Sequence, residues 1–136
     1  MLGELDHVGY LAADLEASVA EVESLFALAV ARHFERPQFS LLGVYMGSAS
    51  QVELFSFTDD ELIERRLGAG RLQLDHVAYR VEDIEETAAA MHRAGVRFAG
   101  PDLRVELHEP VELGGVLHLW TLPETSAGQM IQLMQL

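Results

Sequence analysis

The stretch LDHVGYLAADLEAS at residues 5–18 returns as LDHVAYRVEDIEET at residues 74–87. The offset is a constant 69, seven of the fourteen positions are identical, and three more pair Gly with Ala, Leu with Ile and Ser with Thr. A repeat of this period means two copies of one supersecondary unit, neither of which buries its apolar face alone. Each copy opens with an alternating run, through Val8 and Tyr10 or through Val77 and Tyr79, which predicts a strand. Asp14 and Asp83 follow as N-cap residues, and Glu86 stands three places after Asp83, as in a capping box. Apolar residues at helical spacing come next: Leu15, Val19, Val22 and Phe26 in one copy, Ile84, Ala88 and Met91 in the other. Gly95 stops the second helix just after His92 and Arg93.

Beyond each helix the pattern turns to short strands. In the first half they fall at about 30–36, in SLLGVYMG from Ser40 and in QVELFSF from Gln51. In the second half they fall at about 103–107, in VLHLWTL from Val116 and in MIQLMQL from Met130. The expected fold class is therefore α+β: one domain over residues 1–136, built from two tandem β-α-β-β-β modules. The internal repeat spans 1–57 and 72–136, and a short polar helix in residues 58–71 links the halves. A single such unit has an open sheet with one bare face, so the pair is expected to form a half-open mixed sheet around a cleft.

Composition narrows the chemistry. The formal net charge is −13, and all nine basic residues are arginine, which excludes a lysine Schiff base or a phosphate-loop lysine. Such acidity argues against nucleic acid as a partner, because phosphate neutralisation needs a basic surface. With no cysteine, thiol nucleophiles, disulfides and zinc-thiolate sites are excluded. Neither a basic leader followed by an apolar stretch nor an 18-residue apolar run occurs, so the expectation is a cytoplasmic protein that does not engage a membrane.

Strand alternation assigns faces. Leu5, His7 and Gly9 share one face of the first strand, while Val8 and Tyr10 lie beneath the helix. The same parity sends His76 inward with Leu74 and Ala78. On the last strand of the first half, Glu53 shares its face with Gln51 and Phe55; in the second half, Gln132 shares its face with Met130 and Met134. A carboxylate in the middle of an apolar strand is costly without a partner. Two imidazoles, a carboxylate and an amide oxygen (His7, His76, Glu53 and Gln132) make a donor set for a divalent transition metal with positions left for substrate. That cleft around a metal ion is the expected functional site.

These motifs, with VELFSF at 52–57, AGVRF at 94–98 and the closing IQLMQ at 131–135, make the chain resemble the vicinal oxygen chelate superfamily. That superfamily includes glyoxalase I, methylmalonyl-CoA epimerase, extradiol dioxygenases and fosfomycin or bleomycin resistance proteins. The pattern is most like that of methylmalonyl-CoA epimerase, whose corresponding segments run in the same order at similar spacing. The resemblance covers essentially the whole chain and implies paired β-α-β-β-β modules, metal ligands at His7, Glu53, His76 and Gln132, and a homodimer. Family epimerases carry a glutamate on the last strand where this chain has Gln132, and several carry a glutamine where it has Glu53. They also place a non-ligand glutamate, one of two bases, on the third strand at about Gly43. Glyoxalase I presents two glutamates to its metal, and this chain offers one.

The function expected from these residues is a metal-dependent isomerase or lyase acting by carbonyl polarisation and enolisation, epimerase-like or glyoxalase I-like, on a small-molecule substrate. The cofactor is one divalent ion, from among cobalt, nickel, manganese, zinc and iron. Glu53 is the candidate base, and His118, in VLHLWTL, is the candidate second acid or else a residue facing solvent or the dimer contact. Tyr45, on the same face as Gly43, is a weaker candidate. Gln51, Phe55, Tyr45, Trp120, Met130 and Met134 are the candidate substrate-pocket residues. His33, His92 and His108 read as surface residues. The segment 100–113, with four acids and one arginine, is a poor cradle for coenzyme A phosphates. Two alternatives stay open: a non-catalytic binding or resistance protein, and a ferrous extradiol-type dioxygenase.

Overall fold

The computed structural model describes all 136 residues and has three α-helices and ten strands in an α+β arrangement. The chain divides into two compact units, one of residues 7–75 and one of residues 1–6 with 76–136. The divisions fall inside strands, between Asp6 and His7 and between Asp75 and His76.

The first unit runs β1 (Leu5–Ala12), α1 (Leu15–Phe26), β2 (Val30–Arg36), β3 (Leu41–Met46), β4 (Val52–Phe57) and α2 (Asp60–Leu67). Its strands lie in the order β2-β3-β4-β1, with β1 and β4 parallel and the other pairs antiparallel. Asp14 caps α1 by accepting from the Ala17 amide at 3.1 Å, and Ala27 ends the helix in the left-handed region. Val22, with Leu15 and Val19, packs on Tyr10, Val44, Met46 and Leu54, so Tyr10 does lie under the helix. Phe26, placed by its spacing in the apolar stripe, is instead 67% exposed at the last position of the helix. On the other face Leu11, Leu41, Phe55 and Phe57 pack with Leu62 and Leu67 of α2. The helix expected as a linker is thus part of this core. Each such buried side chain contributes about 1.5–3 kcal/mol relative to exposure. Ser56 on β4 donates to the Ala12 carbonyl at 2.7 Å, which pins β4 against β1.

The second unit runs β5 (Leu72–Arg80, within it from His76), α3 (Ile84–Arg93), β6 (Phe98–Ala99), β7 (Glu106–Leu107), β8 (Val111–Leu113), β9 (Val116–Thr121) and β10 (Met130–Gln135). The order is β5-β10-β9-β6-β7, with β8 also paired to β9. As in the first unit, the last strand runs parallel to the opening strand. Asp83 accepts from the Glu86 amide at 2.9 Å, as the capping pattern predicts. Ile84, Phe98, Leu119 and Leu133 form the core with Ala88 and Met91. Of the strand expected at about 103–107 only Glu106–Leu107 is formed, as β7, which pairs with β6; residues 101–105 are a turn with Leu103 at φ 57°. Pro101, which lacks an amide donor, sits at the start of that turn. The N-terminal arm joins this unit: Gly3 donates to the Arg80 carbonyl, Arg80 donates to that of Glu4, and Asp6 pairs with the Arg80 guanidinium at 2.7 Å. No helix is long and apolar enough to cross a membrane.

Candidate metal centre and active site

In the first unit the register sets Gly9 opposite Glu53 and Tyr45 opposite Glu53, so the middle of β4 lies between β1 and β3 at the level of the candidate carboxylate. His7 is wholly buried and Glu53 is 6% exposed. Nε2 of His7 stands 3.4 Å from Oε2 of Glu53. The Tyr45 ring meets His7 edge-on, with centroids 5.3 Å apart and an interplanar angle of 86°. Phe34 on β2 lies beside Tyr45 at 5.1 Å, and the Arg32 guanidinium sits over the outer face of Tyr45 at 4.3 Å.

Gly43 is in that same face, opposite Phe34 in the β2–β3 register. A Cβ built there would stand 2.5 Å from the Phe34 ring and 2.9 Å from the Leu54 carbonyl oxygen. The third-strand position where the resemblance places a glutamate is therefore filled by a phenyl ring, and no side chain fits it.

In the second unit β10 lies between β5 and β9. Met130 is opposite His76, Gln132 is opposite both Ala78 and Trp120, and Met134 is opposite His118. These residues share one face, and all of them are buried. Ile131, Leu133, Leu117 and Leu119 take the other face beneath α3. Nε2 of Gln132 lies 2.9 Å from Nδ1 of His118. An amide nitrogen only donates, so Nδ1 accepts and the imidazole proton is on Nε2. His118 also stacks on Trp120, with centroids 5.5 Å apart and planes within 10°.

The remaining candidates are placed as follows. Gln51 is exposed ahead of β4, where its carbonyl accepts from the Val8 amide. Phe55 is in the core beside Phe57. His33, His92 and His108 are exposed. Leu5 and Leu74, expected to turn inward with the histidines, are 47% and 51% exposed. Arg32 and Phe34 were not singled out by sequence reasoning. Their signal is the alternation Arg32, Phe34, Arg36 in VARHFER, but which face it occupies depends on pairing with β3.

Residues 6–112 match the family model described as the Glyoxalase/Bleomycin resistance protein/Dioxygenase superfamily. The chain belongs to this superfamily. Among solved structures, this superfamily member is similar to a variant methylmalonyl-CoA epimerase from Streptomyces coelicolor in complex with 2-nitronate-propionyl-CoA. That match has a TM-score of 0.81 and 19% identity, covering 99% of this chain and 98% of the other. The epimerase of Mycobacterium tuberculosis matches with a TM-score of 0.78 at 18% identity, over 98% of this chain and 88% of that one. A hypothetical protein from Bacillus halodurans matches with the same score and identity, over 98% and 94%. At these identities the likeness establishes the fold. No curated protein matches the chain in sequence.

Proposed function

We propose that this superfamily member is a metal-dependent isomerase of the epimerase kind, acting on a small carbonyl compound by polarising the carbonyl and moving the adjacent proton. The observation that carries the reading is the buried pair of His7 and Glu53, at 3.4 Å. That spacing is long for a charge-assisted hydrogen bond, which closes to about 2.7–2.9 Å. It suits two ligands of one ion: bonds of about 2.1 Å place tetrahedral ligand atoms about 3.4 Å apart. His76 is the proposed third ligand, which with His7 and Glu53 would make a His-Glu-His donor set of the kind that can hold a metal ion. Gln132 is the proposed fourth ligand, through the amide oxygen left over when its nitrogen engages His118. The similarity to methylmalonyl-CoA epimerases supports the same reaction class.

A divalent ion held there supplies Lewis acidity, worth several kcal/mol of charge stabilisation at a carbonyl or enolate oxygen. The rest is the protein's work. Glu53 takes up the proton beside the carbonyl, a contribution of about 10²–10⁴-fold for a positioned base. His118 is the proposed second acid on return, acting from its imidazolium form, so that giving up a proton leaves the neutral ring. Trp120, Met130 and Met134, buried on the face of Gln132, are the proposed apolar surround that would keep water from the carbanion. The protein is proposed to work in the cytoplasm as a homodimer.

A second reading, a binding protein that sequesters its ligand, is favoured by the closure of Gly43 under Phe34, which removes one of the bases the resemblance implies. One experiment separates the two. Protein reconstituted with cobalt, nickel, manganese or zinc is incubated in D₂O with acyl-CoA and 2-oxoaldehyde substrates, and exchange of the acidic proton is followed by NMR. Metal-dependent exchange that E53Q abolishes supports the isomerase. Tight binding without exchange supports sequestration, and failure to take up any divalent ion removes the metal reading.

A further inference from the structure

We infer that Arg32, stacked on Tyr45, is a specificity residue that receives a second, anionic group of the substrate, an oxyanion separate from the carbonyl compound's reacting end. This rests on the metal reading above and adds the substrate class to it. The register places Arg32, Tyr45 and Glu53 in one row across β2, β3 and β4, with Arg32 opposite Tyr45 and Tyr45 opposite Glu53. Two strand spacings put the start of that row roughly 10 Å from its end, the span of a small dianionic metabolite. Through side chains the row is continuous: the guanidinium lies 4.3 Å over the Tyr45 ring, and that ring abuts His7 at 5.3 Å.

Of three guanidiniums that lie over aromatic rings, that of Arg32 is the nearest, at 4.3 Å from Tyr45 against 5.5 Å for Arg36 over Phe34 and 5.7 Å for Arg66 over Phe57. In a chain of net charge −13, Arg66, Arg71, Arg80 and Arg97 are each paired with a carboxylate. Arg32 is exposed and rests on an aromatic face instead. Stacking fixes the plane of the guanidinium and leaves its N–H edge directed away from the ring, available for bidentate contact with a carboxylate or phosphate. A cation on the same face as a buried carboxylate also offsets, for an anionic ligand, the repulsion that Glu53 exerts. Phe34, filling the space above Gly43, gives the path between the two ends an apolar floor.

The test uses matched chelators that differ in one terminal group. 2-Oxopentanoate and 2-oxoglutarate share the 2-oxo acid end and differ by a methyl against a carboxylate; an analogue with a terminal phosphonate reports on phosphate. Affinities are measured by calorimetry on cobalt-loaded wild-type protein, R32M and R32K, with cobalt uptake followed by its visible absorbance. Wild-type protein is expected to prefer a charged terminus by about 10- to 100-fold, the contribution of a hydrogen-bonded ion contact. R32M loses that preference, with cobalt uptake and 2-oxopentanoate affinity unchanged, and R32K keeps part of it. Whichever of carboxylate and phosphonate is preferred identifies the source of the oxyanion. Equal affinity of wild-type protein for charged and uncharged termini, or a preference that survives in R32M, overturns the assignment. Failure of the metal reading shows separately, as wild-type protein that takes up no cobalt; the same ligand pairs are then compared on metal-free protein, where equal affinities again overturn the role of Arg32.

Discussion

The side-chain amide of Gln132 donates to Nδ1 of His118 at 2.9 Å, and this one contact fixes both the rotamer of the glutamine and the tautomer of the histidine. An amide is a usable metal ligand only through its oxygen, so whatever holds the nitrogen decides whether the oxygen is offered. His118 is itself clamped, stacked on Trp120 and 8% exposed. Replacing His118 with Ala releases the amide to rotate. Cobalt affinity is expected to fall about 10- to 100-fold, as for other partners that orient ligands. H118Q, whose amide oxygen can still accept from Gln132, is expected to restore most of the affinity without restoring proton return. A metal titration in which H118A equals wild type would remove the positioning role.

Glu53 makes a second expectation with opposite signs in two states. A carboxylate that is 6% exposed bears a desolvation cost, which a bound cation offsets. E53Q keeps the shape and removes the charge. Metal-free E53Q is expected to melt at or above the wild-type temperature, whereas the stabilisation expected of saturating metal in wild-type protein, about 2.7 kcal/mol at a hundredfold excess over Kd, is expected to shrink in the variant. Calorimetric melts with and without metal check both. A metal-induced rise of the same size in E53Q would show that the carboxylate is not a ligand.

The repeated LDHV segments carried most of what the sequence discloses. They locate β1 and β5, the two helices and their aspartate caps, because those features depend on local spacing and local hydrogen bonds. Alternation also puts Tyr10 under α1 and sets His76 on one face with Gln132. Features that depend on pairing between distant strands were not legible in the same way. The break of the strand near 103–107 follows from Pro101 and a left-handed Leu103, and VELHEPVEL alternates well enough to conceal it. Closure of Gly43 by Phe34 needs the β2–β3 register, and so does the stacking of Arg32 on Tyr45. The alternation in VARHFER marks Arg32 and Phe34 as sharing a face, and the pairing with β3 decides which face that is.

The β6–β7 hairpin offers a pH-dependent expectation. Two guanidinium nitrogens of Arg97 donate to the Glu106 carboxylate at 2.8 and 2.6 Å, and these hydrogen bonds hold the Glu106 pKa below its ordinary 4.5. Because the folded value is the lower one, the pair's contribution is fully present above about pH 4.5 and is lost as the pH falls through the folded value. The stability difference between wild type and E106Q is therefore expected to be constant from pH 6 to 7 and to shrink towards zero in acid, with high salt reducing it throughout. Urea melts across that range check the sign; a difference that grows in acid contradicts it.

Gly43 and Phe34 provide the sharpest packing expectation. A side chain at Gly43 meets the Phe34 ring at 2.5 Å and the Leu54 carbonyl at 2.9 Å, and only the first of these contacts can be relieved by shortening a side chain. G43E alone is expected to lower stability by about 1–3 kcal/mol through overpacking, and to gain no activity, since its carboxylate cannot enter the face. F34A alone opens a cavity under Tyr45 and also costs stability. The two changes act on one volume, so the double variant is expected to be more stable than the sum of the single losses predicts, by about 0.5–3 kcal/mol. If a second base is all that separates this site from a two-base epimerase, the double variant alone should accelerate proton exchange on both epimers of its substrate. Additive stabilities in the denaturation cycle would mean that the ring and the added side chain do not compete for the same space, and the steric account of this position would be wrong.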